Sequence, residues 1–155
     1  MADIRLSLNG QDRSFSVEAR RTLADFLRDD CGLTGTHLGC EHGVCGSCTV
    51  LLDGDAVRSC LIFAVQADGS AVTTVEGMSP DGALSAVQQA LRDCHGLQCG
   101  FCTPGFVVSI TAFVLDHPDP NDQDIREALS GNLCRCTGYQ GISAAVRQAA
   151  QKELP

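Results

Sequence analysis

Gly39-Cys-Glu-His-Gly-Val-Cys-Gly-Ser-Cys48 places the thiols of Cys40, Cys45 and Cys48 within nine residues, and Cys60 follows after a gap. The spacing C-x4-C-x2-C…C is that of the four thiolates that hold a plant-type [2Fe–2S] cluster. A backbone that wraps one rhomb of iron and sulfide must bend tightly, often at positive φ, and Gly39, Gly43 and Gly46 permit this. Two alternatives fit less well. A Rieske centre replaces two of the cysteines by histidine, and Cys40-Glu-His42 offers one C-x-H that Cys45-Gly-Ser-Cys48 does not match. A structural zinc site pairs C-x2–4-C knuckles, which C-x4-C-x2-C is not. His37 and His42 are expected as solvent-facing loop residues rather than ligands.

A second quartet is built differently. Cys99-Gly-Phe-Cys102 and Cys134-Arg-Cys136 are two short pairs separated by a long segment, each expected beside a helix end, where backbone amides favour thiolate over thiol. Taken alone, this set fits a second cluster or a lone zinc ion. Arg135 reads equally well as a counter-charge to the site or as a surface arginine. Cys31 and Cys94 fall outside both quartets and are expected as buried free thiols.

Outward from the first loop, the N-terminal half reads as β structure. Ile4, Leu6 and Leu8 alternate with polar residues, Asn9-Gly10 supplies turn chemistry, and Phe15 and Val17 alternate on the return. Thr22 is expected to open a short helix carrying Leu23, Phe26 and Leu27, with Asp25 as a weak capping box. Thr49 to Asp53 and Ala56 to Cys60 flank Gly54 as a hairpin that leaves Cys60 at a strand end, and Ala71 to Val75 is the last strand. Gly77-Met-Ser-Pro-Asp81 is the linker candidate, dividing the chain into domains 1–77 and 78–155. Beyond it the apolar spacing predicts four helices. These are Ala83 to Asp93 (Leu84, Val87, Leu91 inward), a helix capped by Thr103 with Pro104 in its first turn, one capped by Asn121 or Asp122, and Gly141 to Gln151. The expected fold class is α+β, a small sheet domain followed by a four-helix bundle.

Size and charge narrow the function. The chain has 155 residues, and halves of about 75 residues bury too little apolar surface to stand without a staple. One quartet in each half is such a staple. Ten cysteines also suit a disulfide scaffold, but Met1 to Arg5 shows no charged-then-apolar leader. A cytoplasmic location, where thiols stay reduced and ligate metal, is therefore expected. No apolar run reaches membrane-spanning length. The net charge is −8 with the thiols neutral, and two oxidised clusters on eight thiolates would add about four more negative charges. With no basic stripe, the chain is not expected to bind nucleic acid or anionic membranes.

Three stretches together resemble a known family: Gly39 to Cys48, Gln98-Cys-Gly-Phe-Cys-Thr-Pro-Gly105, and Gly131-Asn-Leu-Cys-Arg-Cys-Thr-Gly-Tyr139. They are similar to the cysteine motifs of the small [2Fe–2S] subunit of molybdenum hydroxylases, the family of xanthine oxidase and aerobic carbon monoxide dehydrogenase. The resemblance runs from Ile4 to about Ala150. It implies an N-terminal β-grasp, ferredoxin-like domain holding one cluster on Cys40, Cys45, Cys48 and Cys60. It implies a second cluster on Cys99, Cys102, Cys134 and Cys136 in the helical domain. By the same resemblance, Cys136 is also the thiolate nearest the pterin of a molybdenum–pterin cofactor on a large partner subunit, and Gln98 hydrogen-bonds at the pterin edge.

The resemblance further implies that electrons enter at the helical-domain cluster, pass to the β-domain cluster and leave to FAD on a medium subunit or to another acceptor. The chain would then be an iron–sulfur part of a heteromeric oxidoreductase complex, with dimerisation left open, and would carry no catalytic residue. Its length agrees, since two cluster domains leave no room for a large-cofactor pocket and no G-x-G-x-x-G follows a strand. Two other readings stand beside this one: a free-standing two-cluster ferredoxin and a zinc-stapled interaction module. None of the motifs names a substrate, whose pocket would lie on another chain.

Overall fold

The computed structural model of the chain describes residues 1–79 and 81–152; Pro80 of the linker candidate and residues 153–155 of the second domain lie outside the described residues. Strands β1 (Ala2–Leu8) and β2 (Gln11–Val17) form an antiparallel hairpin with Ile4 opposite Phe15. Asn9 and Gly10 close it at φ +50° and +77°, the pair of left-handed residues that a type I′ turn needs. Strands β3 (Thr49–Leu52) and β4 (Asp55–Arg58) form a second hairpin. Strand β5 (Ala71–Thr73) joins the two, parallel to β1 and antiparallel to β3, giving the order β2-β1-β5-β3-β4. Ile4, Leu6 and Leu8 are buried on one face of this mixed sheet.

Helix α1 (Leu23–Asp25) covers that face. The Thr22 hydroxyl accepts the Asp25 N–H at 3.1 Å, as the capping signal predicts. The helix then widens into one π turn over Phe26–Asp30, in which the Cys31 N–H reaches back to the Phe26 carbonyl at 3.0 Å. Leu23, Phe26 and Leu27 are fully buried, and Phe26 meets Phe15 edge-on at 4.9 Å. Each such side chain removed from water contributes about 1.5–3 kcal/mol.

Two sequence expectations shift here. The last strand is shorter than Ala71 to Val75, because the Asn9 side chain accepts the Thr74 N–H at 2.9 Å. The chain then enters a 3₁₀ turn (Val75–Met78) whose Val75 and Met78 pack on the helical domain. Cys60 lies not at a strand end but in a 3₁₀ turn (Ser59–Leu61), which the Ser59 hydroxyl anchors to the Cys48 carbonyl at 2.6 Å.

The second half is a four-helix bundle of α2 (Ala86–Asp93), α3 (Thr103–Asp116), α4 (Asp122–Leu129) and α5 (Gln140–Ala150). Val87, Leu91, Phe106, Ile110, Ile125 and Ile142 belong to its buried core. Helix α2 begins three residues later than expected. Ser85 and Gln88 form a capping box, and this leaves Leu84 outside the helix and 49% exposed rather than inward. Cys102, not Thr103, occupies the cap position of α3, with Pro104 in the first turn. Asn121 caps α4 by accepting the N–H groups of Gln123 and Asp124. Helix α3 is apolar nearly all round because it serves two layers, packing into the bundle and also lying against β3. Among the described residues no helix is long and apolar enough to cross a membrane.

Candidate metal centres

The first quartet lies where the loop from Gly39 to Cys48 returns to the sheet. Cys48 immediately precedes β3, and both it and Cys60 are buried, packed with Ala24 and Leu38. Their thiols touch each other, and burial together with that contact pushes Cys60 up to about 11. Cys40 goes the other way, held down to about 6 by backbone donors, chiefly the Cys45 N–H at 3.4 Å from its sulfur. The cage thus favours one thiolate and resists several unless positive charge enters it, which is the condition that bound metal satisfies. His42 is a loop residue whose Nδ1 lies 2.6 Å from the Cys40 carbonyl. His37 departs from expectation, because it is half-buried, stacks on Phe101 with ring centroids 4.8 Å apart, and places Nδ1 2.7 Å from the Phe101 carbonyl.

The second quartet gathers at one end of the bundle, Cys99 and Cys102 from the α2–α3 connection and Cys134 and Cys136 from the α4–α5 connection. Cys102 touches Cys134, and burial with that neighbour pushes it up to about 12. Burial acts upward on Cys134 as well, but hydrogen bonds from the Thr137 hydroxyl (3.1 Å from the sulfur) and from the Thr137 and Cys136 backbone outweigh it, so its pKa falls. Cys136 touches Cys99. The Cys99 backbone favours the Cys136 thiolate, yet the neighbouring thiols and desolvation together leave its pKa raised. Tyr139 braces the loop from φ +67°, its phenol oxygen accepting the Cys134 N–H at 2.9 Å and its ring set edge-on to Phe106.

Each quartet therefore closes as pairs: Cys40 with Cys45, Cys48 with Cys60, Cys99 with Cys136 and Cys102 with Cys134. A rhomb of two irons takes two thiolates at each iron, so the donor set fits a [2Fe–2S] cluster at both places. Among the described residues no three His, Cys, Asp or Glu side chains converge as a single ion would require.

The two loops meet. The Leu133 N–H donates to the Cys45 carbonyl at 2.8 Å, and Asn132 Nδ2 donates to the Gly46 carbonyl at 3.0 Å. The Arg58 guanidinium bridges Thr49 Oγ1 (2.6 Å) and the Gly131 carbonyl. Gly46 sits at φ +75°, where a Cβ would lie 2.5 Å from the Gly131 oxygen, so only glycine fits. Asn132 and Phe101 lie inside the quoted cysteine motifs and Arg58 in a hairpin strand, but nothing in the sequence shows what each of them contacts.

Away from this contact, Gln98, Cys99, Arg135 and Cys136 are all exposed at the same end of the bundle. Val44 within the first loop and Leu61 and Phe63 just beyond Cys60 are exposed, 47–60% accessible, and Leu61 lies against Gly43 of the loop. Cys31 and Cys94 are free but half-buried rather than buried; burial pushes Cys31 up to about 11, and Cys94 Sγ donates to Gln148 Oε1 at 3.3 Å.

Both halves of the chain match known protein domains. Residues 6–72 match the model of the 2Fe-2S iron-sulfur cluster binding domain, and residues 74–147 match that of the [2Fe-2S] binding domain. The nicotine 6-hydroxylase small subunit of Paenarthrobacter nicotinovorans is 57% identical over 147 residues, which cover 95% of this chain and 88% of that one. Caffeine dehydrogenase subunit gamma of Pseudomonas sp. (strain CBB1) is 55% identical over 150 residues, 95% of this chain and 90% of that one. The crystal structure of quinoline 2-oxidoreductase from Pseudomonas putida 86 superposes with a TM-score of 0.93 at 50% identity, covering 96% of this chain and 92% of the matched chain.

Proposed function

We propose a direction and a wiring for the electrons that cross this chain, which belongs to the small iron–sulfur subunits of the molybdenum hydroxylases. Residues 1–77 form the domain of the first cluster, on Cys40, Cys45, Cys48 and Cys60. Residues 78–155 form that of the second, on Cys99, Cys102, Cys134 and Cys136. Each cluster, when bound, supplies a one-electron carrier whose potential depends on charge, burial and hydrogen bonds to its sulfurs.

Electrons enter at the exposed edge. Cys99 and Cys136 present the second site to a large partner subunit, and the Gln98 amide beside them can donate or accept at the edge of that subunit's molybdenum–pterin cofactor. Cys134 is bonded to Leu133, whose N–H reaches the Cys45 carbonyl, so a path of covalent bonds and one hydrogen bond joins the ligand sets. That hydrogen bond is the observation that carries the reading. An electron tunnels more readily along bonds than across open space, and this bonded path joins Cys134 to Cys45. The exit lies at the exposed apolar residues Val44, Leu61 and Phe63, which dock a medium, FAD-bearing subunit.

The relatives are named for nicotine, caffeine and quinoline. These are nitrogen heterocycles, and the substrate of this complex is assigned to that class. Ten cysteines outside any disulfide suit the reducing cytoplasm.

Purification of the tagged chain from its native cells tests the assignment. Two irons and two acid-labile sulfides for each of two clusters, with a molybdenum-bearing subunit retained, are expected. Zinc without sulfide would overturn both electron-transfer readings. A cluster-loaded monomer with no molybdenum partner would leave a free-standing ferredoxin.

A further inference from the structure

The contact between the domains buries one asparagine. Asn132 is 2% exposed and stands two residues before Cys134. Its orientation is determined by its partners. The Gly46 carbonyl can only accept, so Nδ2 must face it, which leaves Oδ1 to accept the Ser109 hydroxyl at 2.9 Å. The same Gly46 oxygen also accepts the Thr49 N–H at 3.2 Å and the Thr49 hydroxyl at 2.6 Å. Three donors, two from its own domain and one from the other, pin one peptide group.

That peptide is Gly46–Ser47, the spacer between Cys45 and Cys48. With its carbonyl held, the direction of the Ser47 N–H at the opposite side of the peptide plane is held as well, inside the segment that wraps the first site. Consecutive residues of the helical domain thus engage consecutive carbonyls of the first-site loop, Leu133 on Cys45 and Asn132 on Gly46. One such bond would tether the loop; two in sequence fix its position and its rotation.

We propose that Asn132 is a positioning residue for the first cluster supplied by the second domain, fixing the loop's peptide dipoles, and with them the ease of reducing that cluster and its placement relative to the second. The proposal rests on the ligand assignment above. The sign follows from charge. Asn132 draws electron density from a carbonyl next to a group that gains negative charge on reduction, so its loss makes reduction harder.

The test is an EPR-monitored redox titration of the assembled complex carrying Asn132→Ala, Asn132→Asp or Ser109→Ala. Asn132→Ala is expected to raise the oxidised-to-reduced ratio of the first cluster about tenfold at a given potential, a downward shift of about 59 mV for a one-electron couple. Asn132→Asp shifts it further the same way, since its carboxylate repels the Gly46 oxygen, and Ser109→Ala shifts it less. The second cluster keeps its midpoint, while the magnetic interaction between the reduced clusters changes. A first-cluster midpoint equal to wild type in the loaded Ala and Asp variants would overturn the proposal, as would a shift confined to the second cluster. If both Asn132 variants fail to assemble, Ser109→Ala decides: a lowered midpoint supports the role and a wild-type midpoint overturns it. A wrong ligand assignment would show separately, in single Cys→Ser variants whose iron and sulfide do not fall at the expected site.

Discussion

The Leu133 N–H donates to the Cys45 carbonyl at 2.8 Å, so the residue preceding one site's ligand is bonded to a ligand of the other. Three neighbouring contacts support this pair: Asn132 on Gly46, Arg58 on Gly131, and Gly105 against the Gly46–Ser47 backbone. The contact positions the two ligand loops and also binds two small domains into one unit.

Removing that one donor is possible without removing a buried side chain, because the Leu133 side chain is 48% exposed. Leu133→Ala keeps the N–H and should transfer electrons between the clusters at the wild-type rate. Leu133→Pro deletes the donor and leaves the Cys45 carbonyl unpaired, at a cost of about 1–3 kcal/mol. Rapid-freeze EPR of the substrate-reduced complex should show the second cluster reduced on time and the first delayed. Equal rates in the two variants would remove this bond from the route.

Gly105→Ala places a methyl group in the first turn of α3 against the Gly46 carbonyl, with the Ser47 Cα 3.1 Å away. Alanine is the better helix former by about 1 kcal/mol, but overpacking against a backbone that cannot turn aside costs about 1–3 kcal/mol. The chain should melt several degrees lower, with the first-cluster absorbance lost earliest. A raised melting temperature would show that the domains part more easily than this packing indicates.

Tyr139→Phe removes the acceptor of the Cys134 N–H and keeps the ring against Phe106. Stability should fall by about 1 kcal/mol. The change should appear in the second cluster's EPR line shape, with the first unchanged. An unaltered second signal would mean that Tyr139 only fills space.

The pair Asp122–Arg147, 2.6 Å apart, ties α4 to α5, and Arg147 holds the Asp122 carboxyl below its ordinary value of 3.8. A depressed carboxylate stabilises the fold above its unfolded pKa and loses that contribution as pH falls through the folded one. Acid unfolding of the cluster-loaded chain, followed by helix circular dichroism, should therefore show an added slope below about pH 4 that Arg147→Ala reduces. Superimposable acid limbs for the two chains would exclude the pair as a source of stability.

Spacing exposes all eight quartet thiols, because a ligand set is written in residue type at short intervals and the loops bring such residues together. The strands and four helices are legible for a similar reason, their periods of two and 3.6 being carried by Ile4-Leu6-Leu8 and by Ile142-Ala145-Val146-Ala149. Leu84 misleads, since its apolar spacing continues α2 backwards while the Ser85–Gln88 box starts the helix after it. The π turn at Phe26–Asp30 has no periodic signature at all. The contacts of Asn132, Arg58 and Phe101 stay hidden for a different reason. Each acts on a partner in the other half of the chain, and a single asparagine between a glycine and a leucine carries no pattern that shows which carbonyl it will meet.

Substrate-driven reduction of a complex carrying Cys136→Ser, followed by rapid-freeze EPR, tests the direction of the wire most directly. The expected result is slowed reduction by substrate with the first cluster's signal unchanged in shape. Loss of the first cluster's signal, or wild-type rates for both clusters, would contradict entry through the helical domain.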